Sequence, residues 1–161
     1  MSQPQRSGSG LSRIRRLSLL LIVLCLIQYL LGMALTLFVV ITRNHPGSSG
    51  DDYLARSFRS VVWGIGHGGF LALHVGLGIV LVLGSIRFAV ATFYAPQIRV
   101  RTVGTLAAVA VLAAAFNGAS FLNYNDDASS MIMAVFFAIA VLCFAWALFR
   151  ASATVALPSA G

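Results

Sequence analysis

Four long apolar stretches, each bounded by charged or turn-forming positions, organise the chain. Residues 17–42 carry no charge and follow Arg13, Arg15 and Arg16. A helix needs about 20 apolar residues to cross the hydrocarbon of a bilayer, so this run predicts a first membrane span. Similar runs at 61–86, 103–124 and 130–149 predict three more. Between them, 43–60 holds Asn44, His45, Pro46, Gly47, Gly50, Asp51 and Asp52, 87–102 holds Arg87, Pro96, Arg99 and Arg101, and 125–129 is a tight acidic turn. Backbone polar groups in irregular segments cannot be left in lipid, so each reads as an extramembrane connection. Residues 1–16, rich in Ser, Gly, Gln and Arg, read as a disordered tail, and 150–161 as a second, short tail. The long apolar core of 17–42 has no Ala-x-Ala exit, which argues against a cleaved signal peptide.

Composition agrees with a bilayer as solvent. The 161 residues suffice for one domain, and with 59% hydrophobic and 9% charged residues there is too little polar surface to cover a soluble fold. The net charge of +7 comes from arginine alone, without lysine or glutamate. Its distribution points to lipid headgroups as partner and not to nucleic acid. Arg6, Arg13, Arg15, Arg16, Arg87, Arg99, Arg101 and Arg150 fall on one side of the predicted spans without an acid, while Arg43, Arg56, Arg59 and all four aspartates fall on the other. Cytoplasmic flanks accumulate arginine, so the first side is expected in the cytoplasm, with both termini there. Short connections favour antiparallel neighbours, which predicts an all-α, four-helix, up-down-up-down transmembrane bundle. The prevalence of Arg, Ala, Gly and Val suggests a bacterial source and hence a cell (inner) membrane. Cys25 and Cys143 lie inside apolar runs and read as small hydrophobes.

Candidate chemistry concentrates on the second run. Gly64, Gly68, Ala72 and Gly76 recur every four residues, a small-residue ridge of the kind that lets helices approach closely in lipid. Ser130, Ala134 and Ala138 make a shorter one. His67 and His74 are ionisable residues within a span, which are rare and usually face a bundle interior. On one continuous helix they would share a face, about 10 Å apart along the axis. Depth suggests an outer polar layer of His67, Asn117, Ser120 and Met131 or Met133, and an inner one of His74 and Gln28. Two readings lead, with a quinone, lipid or ion site as the remainder. In one, His74 or His67 ligates a b-type haem, a methionine completes the pair, and Gly68, Gly76, Gln28 and Asn117 line the pocket. In the other, each histidine hydrogen-bonds Gln28, Asn117 or a backbone carbonyl and sets helix register without a cofactor. His45, Asp51 and Asp52 lack a regular metal-ligand spacing and read as a solvated loop, and no site for a metal ion is expected. The spans hold no Asp or Glu, which argues against a carboxylate proton relay.

The segments "IQYLLGMAL", "GHGGFLALHVGLG", "FNGASFL" and "SSMIMA" resemble a family of small, uncharacterised four-span bacterial membrane proteins over most of residues 20–148. The chain is also similar to one four-helix half of haem A synthase or a cytochrome b561-type bundle, which implies haem as a cofactor. In those families histidines sit on more than one helix, whereas both span histidines here lie on the second. The preferred expectation is therefore a non-enzymatic subunit or assembly partner that contacts other membrane subunits or further copies of itself. A haem-binding electron-transfer protein and a small oligomeric transporter or channel are the alternatives.

Overall fold

A computed structural model describes residues 6–49, 52–95 and 97–153. They form five helices, α1 (Arg6–Phe38), α2 (Tyr53–Gly66), α3 (Gly69–Phe93), α4 (Ile98–Tyr124) and α5 (Asp127–Ala153), and one 3-10 turn, Pro46–Ser48. The described residues contain no strand. α1, α3, α4 and α5 are each long and apolar enough to cross a membrane, and the chain is an all-helical, multi-pass membrane protein.

The helices depart from the sequence pattern in four places. The predicted second span, 61–86, is divided: α2 ends at Gly66 and α3 starts at Gly69 and runs on to Phe93. The break sits at Gly68, with φ 80° and ψ −175°, and Gly69, with φ 57°. The first is a conformation essentially restricted to glycine, so hydropathy runs on across the doublet while the backbone does not. Much of 43–60, expected as an open connection, is a 3-10 turn followed by the first half of α2. Asp52 caps that helix, its Oδ1 accepting from Ala55 N–H at 2.9 Å. α1 already begins at Arg6, so most of the expected N-terminal tail is helical, and residues 1–5 lie outside the described part. The second tail is likewise helical to Ala153, with 154–161 outside the described part.

Packing follows small and polar positions, because lipid gives apolar side chains no reason to prefer the interior. On α1 the inward residues Ile14, Ser18, Leu21, Cys25, Gln28, Gly32 and Leu35 alternate in steps of four and three, the spacing of a left-handed helix seam. α3 answers with glycine. A side chain at Gly84 would run into Leu21, at Gly78 it would meet Gln28, and at Gly32 of α1 it would touch His74. α4 supplies alanines, and Ala107, Ala108, Ala110 and Ala114 are all buried. Small α4 residues let the flanking helices come together, so Phe88 of α3 meets Phe144 of α5 edge to face at 5.2 Å. Both rings are fully buried. Gly104 admits Thr92 of α3 so closely that any β-carbon there would collide with it. Leu26, Leu30, Leu37, Leu83, Leu142 and Phe149 are exposed on the outside of the bundle, as lipid-facing side chains should be. Ala134 and Ala138 are exposed as well, so the predicted ridge on α5 is not an internal interface.

Candidate functional site

Two polar constellations lie within this frame. The first caps the bundle where α2 meets the α4–α5 turn. His45 follows α1 by a few residues and is 6% exposed, a correction to its reading as part of a solvated loop. Its Nδ1 accepts from Gly47 N–H at 3.1 Å, so that nitrogen is unprotonated. Nε2 then carries the ring proton and donates it to the Leu122 carbonyl of α4 at 2.8 Å. The imidazole stacks on Trp63 with centroids 4.0 Å apart, and His67 lies against the same indole at 4.8 Å. Gly47 is required here because a β-carbon would come within 2.8 Å of Ser60 Cα.

Beneath His45, Asn123 joins α4 to α2. Ser60 Oγ has one proton, which it donates to the Gly47 carbonyl at 3.2 Å. It must therefore accept from Asn123, and this sets the orientation of the amide. So placed, Asn123 Nδ2 donates to Ser60 Oγ and to the Arg56 carbonyl at 3.2 Å, and its oxygen accepts from Ser57 N–H at 3.2 Å and Ser57 Oγ at 2.7 Å. All four hydrogen-bonding positions of a buried amide are filled. Asn125, in left-handed conformation at φ 48°, closes α4, and its side chain donates to the Ile41 carbonyl at 3.1 Å. Sequence reasoning placed Asn125 at the start of a tight turn and assigned Asn123 no role. Their signal was two asparagines within three residues at a helix end, where αL-tolerant residues serve as caps. Asp51 falls outside the described residues, and no cluster that could bind a metal ion occurs among them. Chemically this cap is closed, since every ring nitrogen of His45 and every amide position of Asn123 is occupied.

The second constellation lies inside the bundle. Gln28 of α1 reaches His74 of α3, its Nε2 donating to the His74 carbonyl at 3.1 Å and to the ring Nε2 at 3.1 Å. The inner-layer pairing expected from depth is thus present. With Nε2 accepting, His74 carries its proton on Nδ1. Among the described residues that atom and Gln28 Oε1 are buried without a partner, as is Ser18 Oγ elsewhere on α1.

The outer layer does not assemble in the same way. His67 is the C-cap residue of α2, on the far side of the Gly68–Gly69 break from His74, so the two histidines do not share a helix face. Asn117 donates to the Ala113 carbonyl of its own helix at 2.8 Å. Ser120 accepts from Ser129 at 3.2 Å and joins α4 to α5. Met133 lies against Gly118 of α4, and Met131 is 68% exposed on the outside. Of the ridge glycines, Gly64 sits in a tight contact, under Val75 and Leu71, while Gly68 and Gly76 have open space around them among the described residues.

These placements do not fit a haem. The ring Nε2 of His74 is held by Gln28, Gly32 of α1 lies close against the ring, and neither methionine expected to complete the pair faces it: Met133 lies against α4 and Met131 is exposed on the outside. What the arrangement does chemically is fix helices: Gln28–His74 ties α1 to α3, Asn123 ties α4 to α2, and His45 ties the 3-10 turn to α4. Comparison of the chain with protein-family models, with curated proteins and with solved structures found no match, so the function is argued from this geometry.

Proposed function

We propose that this protein is a non-enzymatic subunit or assembly partner in a bacterial cell membrane, which docks a further membrane-spanning helix on the outward face of α1. In this reading it is an up-down-up-down bundle with both termini in the cytoplasm. Opposed contact order supports the topology: along α1, Leu21, Gln28 and Gly32 meet Gly84, Gly78 and His74 in descending order along α3. The arginine-rich, acid-free end supports the orientation.

Tyr29 carries the docking reading. It is 57% exposed on the outside of α1. At about 1.5 Å per residue it lies roughly 20 Å along the helix from Arg16 and roughly 14 Å from Phe38, too deep for its hydroxyl to reach either headgroup layer. Among the described residues nothing partners that hydroxyl, and lipid tails offer no acceptor. Beside it Leu19, Val23, Leu26, Leu30, Met33 and Leu37 are exposed in steps of four and three, a second helix seam on the face turned away from the bundle. Apolar exposure alone is ordinary for a span. A mid-depth phenol within a regular seam is what another helix would satisfy.

The expected particle, extracted with its native lipid, weighs more than the 17.1 kDa of one chain. An interhelical hydrogen bond contributes about 0.6 kcal/mol in lipid, so Tyr29→Phe should weaken the assembly about threefold while leaving the helix content unchanged. Native mass spectrometry reads both. A single-chain mass in wild type and variant alike would contradict the reading.

A further inference from the structure

We propose that the groove between the start of α4 and the end of α5 binds one anionic phospholipid, its phosphate between Arg99 and Arg150 and its acyl chains on Trp146 and Val103. The groove is open on the outside of the bundle, holds about 350 Å³, and is lined by Ile98, Arg99, Thr102, Val103 and Trp146. Its floor is almost wholly apolar, and its polar groups are at the end where the chain carries arginine and no acid.

Arg101 and Arg99, two residues apart, differ in what holds them. Arg101 Nε donates to the Ala95 carbonyl at 2.7 Å and its guanidinium lies over Phe93, so it serves the α3–α4 turn. Arg99 is exposed at the groove, and no acceptor among the described residues engages it. Arg150 lies over the Trp146 ring, 5.7 Å from its centroid, which places a second guanidinium beside the same floor. α4 also opens toward this end without a side-chain cap: Gln97 makes none, and the first amide to bond back is that of Val100, to the Gln97 carbonyl. Free N-terminal amides add positive potential where a phosphate would sit. Charge complementarity therefore selects an anionic headgroup, and the apolar floor selects a lipid over a soluble anion.

The test uses the full chain in detergent with phosphatidylglycerol or phosphatidylethanolamine added, and counts retained lipid by native mass spectrometry. Wild type should retain one phosphatidylglycerol in preference to phosphatidylethanolamine. Arg99→Gln should weaken that binding about fivefold, the factor matching about 1 kcal/mol for one interfacial arginine. Thr102→Trp, which fills the groove without changing charge, should abolish it. Arg87→Gln removes the same charge from α3, outside the groove, and should leave binding within about twofold of wild type. Equal retention of the two lipids, an Arg99→Gln loss no larger than that of Arg87→Gln, or full retention by a folded Thr102→Trp would each overturn the proposal.

Discussion

Replacing Asn123 with alanine removes two donors and two acceptors from a space that is closed to solvent. Ser60 and Ser57 hydroxyls, the Ser57 amide and the Arg56 carbonyl would then be left to find other partners. Burying unsatisfied polar groups costs about 1–3 kcal/mol, and Asn123→Ala should destabilise the protein by about 2–3 kcal/mol, seen as a lower midpoint in thermal unfolding. Asn123→Asp tests the amide orientation. A carboxylate cannot donate to Ser60 or to the Arg56 carbonyl, so it should not rescue stability. His45→Phe keeps a ring on Trp63 but loses both bonds, to Gly47 N–H and the Leu122 carbonyl, and is expected to cost about 1–3 kcal/mol by the same measurement. A histidine beside proline, glycine and aspartate looks solvated in one dimension. A tertiary event buries it, the return of α2 over the 3-10 turn together with α4 packed against the ring. His74 and Gln28 were legible because depth along two helices is a local property of each, and a shared depth brought them to the same layer.

At the scale of elements, the junction between α2 and α3 depends on the Gly68–Gly69 doublet. Gly68→Ala places a β-carbon in a conformation that only glycine adopts readily and should cost about 1–3 kcal/mol, although no neighbour lies within 4 Å of the position. A substitution that destabilises in open space would show that backbone conformation, not packing, sets the break. At the α3–α4 interface the reverse holds. Gly104→Ala drives a β-carbon into Thr92, whose branched side chain cannot rotate away freely, so about 1–3 kcal/mol of overpacking is expected in the same unfolding assay. Across the α1–α3 seam, a double-mutant cycle of Gln28→Ala with His74→Ala should give a coupling of only about 0.6 kcal/mol. The helices themselves were visible in hydropathy, since length and lack of charge suffice to mark a span. The break was not, because the doublet in "GHGG" is apolar enough to continue the run, whereas the packing of α2 on the 3-10 turn and on α4 that accompanies the break is tertiary.

For the whole molecule, the polar residues that tie helices together inside the bundle contrast with the mid-depth Tyr29 on its outside. His45, Asn123, Gln28 and His74 are turned to neighbouring helices, whereas Tyr29 is turned away from them all. That contrast was not legible beforehand. The sequence pattern places Gln28 and Tyr29 side by side, and which of the two faces α3 depends on the rotation of α1, set by Leu21 and Gly32 against Gly84 and His74. The measurement that bears most directly on an assembly role is site-specific photocrosslinking in intact cells, with a photoreactive amino acid at position 29 of α1 or at position 83 of α3. Leu83 is 63% exposed and serves as the lipid-facing reference. Position 29 should give a discrete protein adduct, whose mass tells a second copy of this chain from a different subunit, while position 83 gives lipid adducts only. Lipid adducts alone at both positions would contradict the account.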